Sequence, residues 1–431
     1  MGVAIRPSSS NEQTEQQDNV GKSIPRVIRS LVTFCLCGLV FGFLFERSHV
    51  YEPQGIRNQF IFYQWVMLKM FIGAMVGSWL SFLLHAKINN ARFENARNRL
   101  LYIQPWYLVI AGSSLLGIGM VVCGGCPGMV LPQVGTGVRN SGYTLLGGFV
   151  AAVIASIIKK RSNSWKVKSV CEAGDDRVNA QGSCLIGAKL EKLEGEKDRQ
   201  FVDRRFKLNQ TLLFVGALFA CIIAVIVLEI LIPYKEDVLA LGNAGIIGSW
   251  FEEKNVFLQR AWYPSICGLG IGLLNFFIIL ETTDTLGSST GYESVAKLLT
   301  WIIPASGSEG DSESKDKKKS ISIEDVHRYI LVNWQLFYLP PAIVGAYLSG
   351  LSCDTVPSQA RGVSSPAVAF CGGFLMLIGS RFSGGCTSGH GIAGTPLLNI
   401  YAIIGVCCMF GAGIITAIIM NAAGVLELEV V

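Results

Sequence analysis

The sequence predicts an all-α polytopic membrane protein with about nine transmembrane helices, arranged as an inverted repeat of four, one and four. Three observations lead to this fold class. The chain of 431 residues is 51% hydrophobic and only 16% charged, whereas soluble domains carry about a quarter of charged residues. Its apolar residues gather in runs near the roughly 20 residues that a helix needs to cross a bilayer. Two of these runs, one in each half, end in the same Gly-Gly-Cys break.

Nine apolar runs are predicted to span the membrane. In order along the chain they cover residues 28–45, 60–84, 106–125, 142–158, 208–232, 262–280, 329–350, 366–383 and 397–421. Most of the 36 Lys and Arg residues fall in segments that face the cytoplasm if the N-terminus is inside, which is the expected bias. This topology puts the C-terminus outside, and we expect the plasma membrane as the host.

The spans and the polar segments between them divide the chain into six parts. They are a disordered cytoplasmic N-terminus (1–26), a first transmembrane repeat (27–158), a cytoplasmic loop (159–207), a linking transmembrane helix with an outer loop (208–261), a second transmembrane repeat (262–421) with a charged cytoplasmic insert (305–328), and a C-terminal tail (422–431). The loop 159–207 offers a surface for a soluble partner. The lipid bilayer is the other expected partner, and no nucleic acid is implied.

The two halves of the chain share a pattern of small residues. The matched sets are Gly38 and Gly42 with Gly268 and Gly272, and Gly73-Ala74 with Gly345-Ala346. Because a single linking span reverses the second half, the halves have opposite orientations, which is a common plan in transporters. Cys126 is therefore expected at the end of a helix that arrives from the inside, and Cys386 at the end of one that arrives from the outside.

Both Gly-Gly-Cys breaks predict a site near the midplane of the membrane. Gly weakens a helix and Pro removes an N–H donor, and irregular backbone survives at that depth only when protein or a cavity surrounds it. Pro127 is predicted to start a short half-helix, as is Thr387 or Ser388 by capping. Such helix N-termini favour anions. The predicted pathway residues are Cys126, Cys386, Gly125, Pro127, Gly128, Gly385, Thr387, Ser388, Gly389 and His390.

Structural alternatives exist for the residues of the breaks. The glycines could only allow tight helix crossings, and a buried cysteine is usually a small hydrophobe, which is how we interpret Cys407 and Cys408. His390 could satisfy a backbone carbonyl instead of a ligand, or shuttle a proton.

Two charged residues also lie in or beside the predicted spans. Arg381, one turn before Cys386, could anchor the helix at the interface or attract an anion. Lys69 lies deep in the second run, where a charge is costly and indicates function or an internal partner. Glu46 or Glu281 is the expected partner.

The motifs resemble those of a known family. GMVVCGGCPGMVLPQVGTG and GSRFSGGCTSGHGIAGTPLLN resemble the paired motifs of the YeeE/YedE sulphur-transport family, and GLVFGFLFERSHVYEPQGIRNQF is similar to its first span and loop. The resemblance covers about 27–158 and 262–421. It implies uptake of a sulphur compound, thiosulfate in bacterial members, by pathway cysteines that pass the anion along through thiol hydrogen bonds. Cys126 and Cys386 match by motif, and a third pathway cysteine would be Cys35, Cys37 or Cys123.

Other function classes remain open at this point. Cys123-Gly-Gly-Cys126 is a C-x-x-C, a spacing used in redox exchange, so an intramembrane thiol-disulfide oxidoreductase is the alternative, and an anion channel or sensor is another. Against the redox reading, the position that matches Cys123 in the second half is Ser383. No cofactor is implied. Cys171 and Cys184 supply two ligands, fewer than a zinc site needs, so no metal is expected, and the sequence favours a transporter over an enzyme.

Overall fold

The computed structural model describes residues 10–100, 104–161, 199–239, 259–302, 323–353, 355–358, 360 and 362–424. The helices in these ranges are α1 (Ser10–Arg47), α2 (Pro53–Phe60), α3 (Val66–Ile88), α4 (Asn90–Arg99), α5 (Trp106–Cys123), α6 (Val130–Thr136), α7 (Ser141–Arg161), α8 (Val202–Arg205), α9 (Gln210–Leu231), α10 (Tyr234–Leu239), α11 (Pro264–Thr282), α12 (Ser288–Ile302), α13 (Ile323–Val332), α14 (Leu339–Ser352), α15 (Pro366–Ser383) and α16 (Ile400–Ala422). A 3-10 turn, Trp334–Phe337, precedes α14, and a π-helical turn, Ser388–Gly394, precedes α16.

The protein is an all-α polytopic membrane protein, as the sequence predicts. Eight helices of the described ranges are long and apolar enough to cross a membrane, namely α1 from Ile24 onward, α3, α5, α7, α9, α11, α15 and α16. Along their length these helices expose mainly apolar side chains, and a lipid environment requires such a surface.

The seventh predicted run, 329–350, differs from the prediction of a single span. It is divided among the end of α13, the 3-10 turn and α14, which has 14 residues. Pro340 and Pro341 cause the division, because proline is accepted in the first turn of a helix but not in its interior. At about 1.5 Å per residue α14 covers about 21 Å, less than the roughly 30 Å of a hydrocarbon core.

Helix α1 begins at Ser10 and so extends into the segment 1–26 for which the sequence predicts disorder. That stretch is rich in Glu and Gln, which are good helix formers, and it continues directly into the apolar span. Other parts of the predicted loops and tails lie outside the described residues, namely 1–9, 162–198 with Cys171 and Cys184, 240–258, 303–322 and 425–431.

Helices from the two halves cross with their backbones in contact. Helix α1 packs on α14, α3 packs on α11, and α5 packs on α15. At each crossing a glycine faces a backbone atom of its partner so closely that a Cβ would overlap it. Examples are Gly42 against Ala342, Gly272 against Ala74 and Gly112 against Ser383. These glycines therefore serve tight packing, as small residues do in other membrane interfaces.

The crossings pair segments across the two halves of the chain. The first predicted run (α1) packs on the seventh (α14), and the second (α3) on the sixth (α11). The third (α5) packs on the eighth (α15), while the fourth (α7) packs on α15 and the ninth (α16) on α5. Each of these helices thus finds its main partner in the opposite half, and the halves interleave.

The linking helix α9 packs on α3 and is tied to it by a buried lysine. Lys69 Nζ donates to the Ile232 carbonyl oxygen at 2.6 Å. The same atom lies 3.2 Å from Asp237 Oδ2 and 3.7 Å from Glu229 Oε2. Lys69 is completely buried, so the protein itself balances its charge, as a position at membrane depth requires.

The sequence-based choice of Glu46 or Glu281 as the partner of Lys69 is wrong. Glu281 accepts a hydrogen bond from Ser30 at 2.8 Å and pairs with Arg29 at 3.0 Å. Glu46 accepts from the hydroxyls of Ser349 and Thr355. The observed partners of Lys69 belong to the linking helix and to α10, outside both repeats, so comparing the repeats with each other does not reveal them.

Replacing Lys69 should destabilise the attachment of the linking helix. Lys69→Met leaves the buried Asp237 carboxylate without its cation, which typically costs about 3–5 kcal/mol. We expect a clear loss of thermal stability in detergent, measured by scanning fluorimetry. Lys69→Met/Asp237→Asn should recover part of the loss, and Lys87→Met, an exposed lysine of the same helix, should have little effect. Wild-type stability of Lys69→Met would contradict this account.

Candidate functional site

The first break begins where α5 ends in a left-handed glycine. Gly124 has φ +64°, and its N–H still bonds to the Met120 carbonyl. Glycine adopts this conformation without strain. Gln133 Nε2 donates to the Gly124 carbonyl at 2.8 Å and to the Tyr51 carbonyl at 2.9 Å. One buried amide thus joins the break to the loop after α1.

Arg57 satisfies the carbonyl groups that α5 leaves open at its end. Its Nε donates to the Val121 carbonyl at 3.1 Å, and its terminal nitrogen donates to the Val122 carbonyl at 2.9 Å. A helix leaves its last carbonyls without intrahelical partners. At membrane depth such groups must find donors inside the protein, and a guanidinium is well suited to bridge two of them.

Each break cysteine begins a new helical turn. The carbonyl of Cys126 accepts from the N–H of Val130 at 3.1 Å, and the carbonyl of Cys386 accepts from the N–H of His390 at 2.7 Å. The first half-helix proper, α6, begins at Val130 and not at Pro127 as predicted, whereas the second turn does begin at Ser388. Both cysteines are buried.

Pro127 and Gly128 bring the first break against helix α12 of the second half. The Tyr292 hydroxyl donates to the Pro127 carbonyl at 2.9 Å. A Cβ on Gly128 would lie 2.9 Å from Ser288 Oγ and 3.3 Å from the Phe41 ring. The absence of a side chain at Gly128 therefore allows Ser288 to approach the backbone of the first break.

The second break also begins with a left-handed glycine. Gly384 ends α15 with φ +82°, and Ser383 Oγ donates to the Gly385 carbonyl at 2.8 Å. Beyond it, Cys386 Sγ lies 3.1 Å from Ser388 Oγ. Ser388 Oγ in turn accepts from the N–H of Ser288 at 3.3 Å. The thiol of Cys386 therefore lies beside a hydroxyl that is tied to the start of α12.

Thr387 and His390 point into the protein around the second break. Thr387 Oγ1 donates to the sulphur atoms of Met120 and Met409, each at 3.3 Å. His390 is fully buried, and its ring lies so close to Gly385 and Gly405 that a Cβ at either glycine would be 3.1–3.3 Å from it.

The fold brings the two break cysteines together. Tyr292 of α12 donates to the Pro127 carbonyl beside Cys126, and the N–H of Ser288, in the same helix, donates to Ser388 Oγ beside Cys386. Helix α12, which supplies Tyr292, therefore borders both breaks. The structure thus assembles into one region two motifs that are far apart in the chain.

The three candidates for a third pathway cysteine have different surroundings. Cys37 is buried and lies within electrostatic range of Tyr338, which is also in range of Cys386. Cys123 Sγ contacts the Gly125 carbonyl at 3.5 Å and Met376 Sδ at 3.9 Å. Cys35 is only half-buried. All three are free thiols.

An open cleft of about 100 Å³ reaches the second break. It is bounded by the segment before α5, the loop between α11 and α12, and the second break. Its lining residues are Arg99, Leu100, Gln104, Asp284, Thr285, Leu286, Gly287, Ser289, Thr290, Gly384, Gly385, Cys386 and Gly389. Cys386 therefore borders an open cleft.

Arg381 lies beside this cleft and points to α12. Its two terminal nitrogens donate to Glu293 Oε2 at 2.5 Å and to Ser289 Oγ at 2.6 Å. Only 10% of its side chain is exposed. The residue is therefore held inside the protein by two specific partners, which an interfacial anchor would not need.

Sequence reasoning missed the side chains that support the breaks. They are Arg57 and Gln133 in the first half and Ser288, Ser289 and Tyr292 in the second. Only the last group had a local signal, because Gly287 followed by two serines and a helical run is a typical helix start. Within the described ranges, no three His, Cys, Asp or Glu side chains are grouped so as to hold a metal ion.

Comparison with known proteins identifies the family. A family model described as sulphur transport matches residues 47–416, which include both breaks. The chain belongs to the sulphur transport family. The resemblance found in the sequence is thereby confirmed.

Two relatives agree with membership of the sulphur transport family. The thiosulfate transporter TsuA of Escherichia coli (strain K12) is 22% identical over 378 residues, which are 87% of this chain and 90% of that protein. A probable transporter of Xylella fastidiosa (strain 9a5c) is 32% identical over 164 residues, which are 38% of this chain and 98% of that protein. The chain is thus a transporter and not an enzyme.

In this sulphur transport family member, Gly124 should not tolerate a side chain. An L-residue with φ near +60° costs about 1–2 kcal/mol, and the new Cβ would also overlap the Pro53 ring. We expect Gly124→Ala to lower the thermal unfolding temperature in detergent. Gly216→Ala is the matched control, since no atom lies within 4 Å of a Cβ at that position of α9. Equal stability of the two variants would refute the proposed role of Gly124.

Proposed function

We propose that the chain imports thiosulfate through a central passage between its two Gly-Gly-Cys breaks. The observation that carries this proposal is that α12 contacts both breaks, at Pro127 and at Ser388, next to the two buried cysteines at the ends of α5 and α15. The relative named as a thiosulfate transporter supports the choice of substrate within the sulphur transport family.

The chemistry of a thiol suits this substrate. Thiosulfate is a divalent anion with a soft terminal sulphur atom, and a thiol offers both a weak hydrogen-bond donor and a polarizable surface. The thiol must keep its proton, because a thiolate would repel the anion. Half-helix N-termini that start at Cys126 and Cys386 add N–H donors and partial positive charge. Together these groups replace water around the anion in the passage.

Cys37 is our choice for the third pathway cysteine. It is buried and shares Tyr338 as an electrostatic neighbour with Cys386. Cys123, by contrast, is directed at the Gly125 carbonyl and Met376, and Cys35 is partly exposed on α1. The remaining predicted pathway residues, Gly125, Pro127, Gly128, Gly385, Ser388 and Gly389, form the backbone and hydroxyl surface between the two thiols in this proposal.

An inverted repeat is the architecture that we propose for this passage. If the two halves are exchanged, α1 and α14 take the places of α11 and α3, so the first pairing becomes the second. In the same way, the pairing of α7 with α15 becomes the pairing of α16 with α5. All four pairings occur, which supports a pseudo-two-fold axis through the α5–α15 crossing. A relative that matches less than half of this chain over nearly its whole length also supports two similar units.

The orientation of the protein follows from the distribution of its charges. We propose a plasma-membrane protein with a cytoplasmic N-terminus and an outer C-terminus, since most Lys and Arg residues then face the cytoplasm. The cleft beside Cys386 would open to the cytoplasm and serve as the exit. The loop 159–207 would be free to bind a soluble partner.

Replacing either break cysteine by alanine should nearly abolish uptake. Each change removes a donor that the anion meets in the passage, and a lost hydrogen bond to a charged group costs about 1.5–3 kcal/mol, or roughly a ten- to hundred-fold loss of rate. The measurement is uptake of radiolabelled thiosulfate into proteoliposomes that contain Cys126→Ala or Cys386→Ala. Serine at either position should retain more activity, because its hydroxyl still donates.

The controls for this experiment are Cys407→Ala and Cys408→Ala in α16, which should transport at the wild-type rate. Wild-type rates for both break variants would remove the cysteines from the mechanism. Serine variants as inactive as the alanine variants would indicate that sulphur itself is required, as in a covalent persulfide-like mechanism.

Cys123→Ser should leave uptake largely intact, because we propose that the C-x-x-C spacing has no redox role. The serine hydroxyl can still donate to the Gly125 carbonyl that Cys123 contacts. Uptake assays and mass spectrometry of thiol-blocked protein provide the two measurements. A trapped Cys123–Cys126 disulfide together with complete loss of activity in Cys123→Ser would favour the oxidoreductase instead.

A further inference from the structure

We propose that the N-terminus of α12, with Ser288 and Ser289 as its contact residues, is a binding subsite for the oxygen atoms of the transported anion. This inference rests on the proposed function and adds a substrate contact that lies outside both Gly-Gly-Cys motifs. Helix α12 has 15 residues, and the N–H groups of its first turn have no partners within the helix. They also carry the partial positive charge of a helix N-terminus.

The first N–H groups of α12 are directed at the second break. The N–H of Ser288 donates to Ser388 Oγ at 3.3 Å, and Ser388 Oγ lies 3.1 Å from Cys386 Sγ. Ser289 and Thr290 also line the cleft that reaches Cys386. An ion that enters the cleft and approaches the Cys386 thiol therefore meets the start of α12 at the same time.

An independent observation points to a ligand at this place. Ser288 is only 1% exposed, and its Oγ has no hydrogen-bond partner among the described residues. The hydroxyl lies against the backbone of Gly128 in the first break, so closely that a Cβ there would be 2.9 Å from it. A buried hydroxyl without a partner is costly, so its retention between the two breaks indicates that it bonds to the substrate.

The donors around Cys386 exceed what a thiol requires. Its sulphur is only a weak acceptor, yet the Ser388 hydroxyl lies 3.1 Å from it, and Ser289 and Gly389 line the cleft beside it. These hydroxyl and N–H groups match the oxygen atoms of a thiosulfate or related anion far better than a neutral sulphur. We infer that the terminal sulphur of the anion lies against Cys386 while its oxygens take these donors.

Arg381 acts as a positioning residue for this subsite. It donates to Ser289 Oγ at 2.6 Å and to Glu293 Oε2 at 2.5 Å. Because the guanidinium occupies a lone pair of the Ser289 oxygen, the hydroxyl proton is directed away from Arg381 and toward Cys386. Glu293 balances the charge of Arg381, and Lys297 in turn pairs with Glu293 at 3.2 Å. Asp284, the carboxylate in the cleft lining, accepts from Trp334 and Gln335.

Binding of thiosulfate to the purified full-length chain in detergent, followed by calorimetric titration, tests the subsite. Ser288→Ala and Ser289→Ala should each weaken binding about tenfold or more, as expected for a lost hydrogen bond to a charged group. Ser289→Thr keeps the hydroxyl and should bind within about twofold of the wild type. Arg381→Gln should weaken binding as Ser289→Ala does. The control is Lys297→Gln, which removes a cation that pairs with Glu293 and should leave binding unchanged.

A second arm separates direct contact from an effect through the thiol. In a Cys386→Ala background, Ser289→Ala should still weaken binding several-fold if the hydroxyl touches the anion. Loss of the serine effect in that background, or wild-type affinity of both serine variants with normal thermal stability, would overturn the subsite while the proposed function stands. If the wild-type chain neither binds nor transports thiosulfate, the proposed function fails and this inference fails with it.

Discussion

The whole arrangement depends on one constraint, the need to satisfy backbone groups where two helices stop inside the membrane. Helix α5 ends at Gly124 and α15 at Gly384, and no water is available in hydrocarbon to accept or donate at those ends. Arg57, Gln133 and Tyr292 supply the donors for the first break. Arg57 belongs to α2, Gln133 to α6 and Tyr292 to α12, so the positions of these three helices bring the donors to the break.

Satisfying the breaks also creates the chemistry of the site. A turn held open by left-handed glycines has no side chains to fill it, so thiols, hydroxyls and N–H groups face a common space. The sulphur atoms of Met120 and Met409 contact the Thr387 hydroxyl, and the His390 ring lies close to the backbone of Gly385, so the rear of the second break is closed by soft, polarizable groups. Donors remain on the side of the second break that faces α12 and the cleft.

Local patterns in the sequence were sufficient for the fold class, for the two breaks in the helices and for the family. Contacts between distant segments were not accessible in this way. The Lys69 partners lie on the linking helix and on α10, Arg381 reaches across to α12, and Arg57 bonds to carbonyl groups more than 60 residues away. Such pairings depend on how helices cross, which hydropathy does not report. The division of the seventh run could have been found locally, because Pro340-Pro341 forbids an uninterrupted helix there.

The interleaving of the two halves limits how the protein can move. Glycine crossings hold α1 on α14, α3 on α11 and α5 on α15 at backbone contact, so rocking one half against the other would separate every one of these interfaces. Rearrangements of the breaks, the loop before α12 and a few side chains cost far less. A transporter that works in this way keeps a nearly constant cross-section in the bilayer. Its rate should therefore respond only weakly to membrane thickness or lateral tension, because it does little mechanical work on the surrounding lipid.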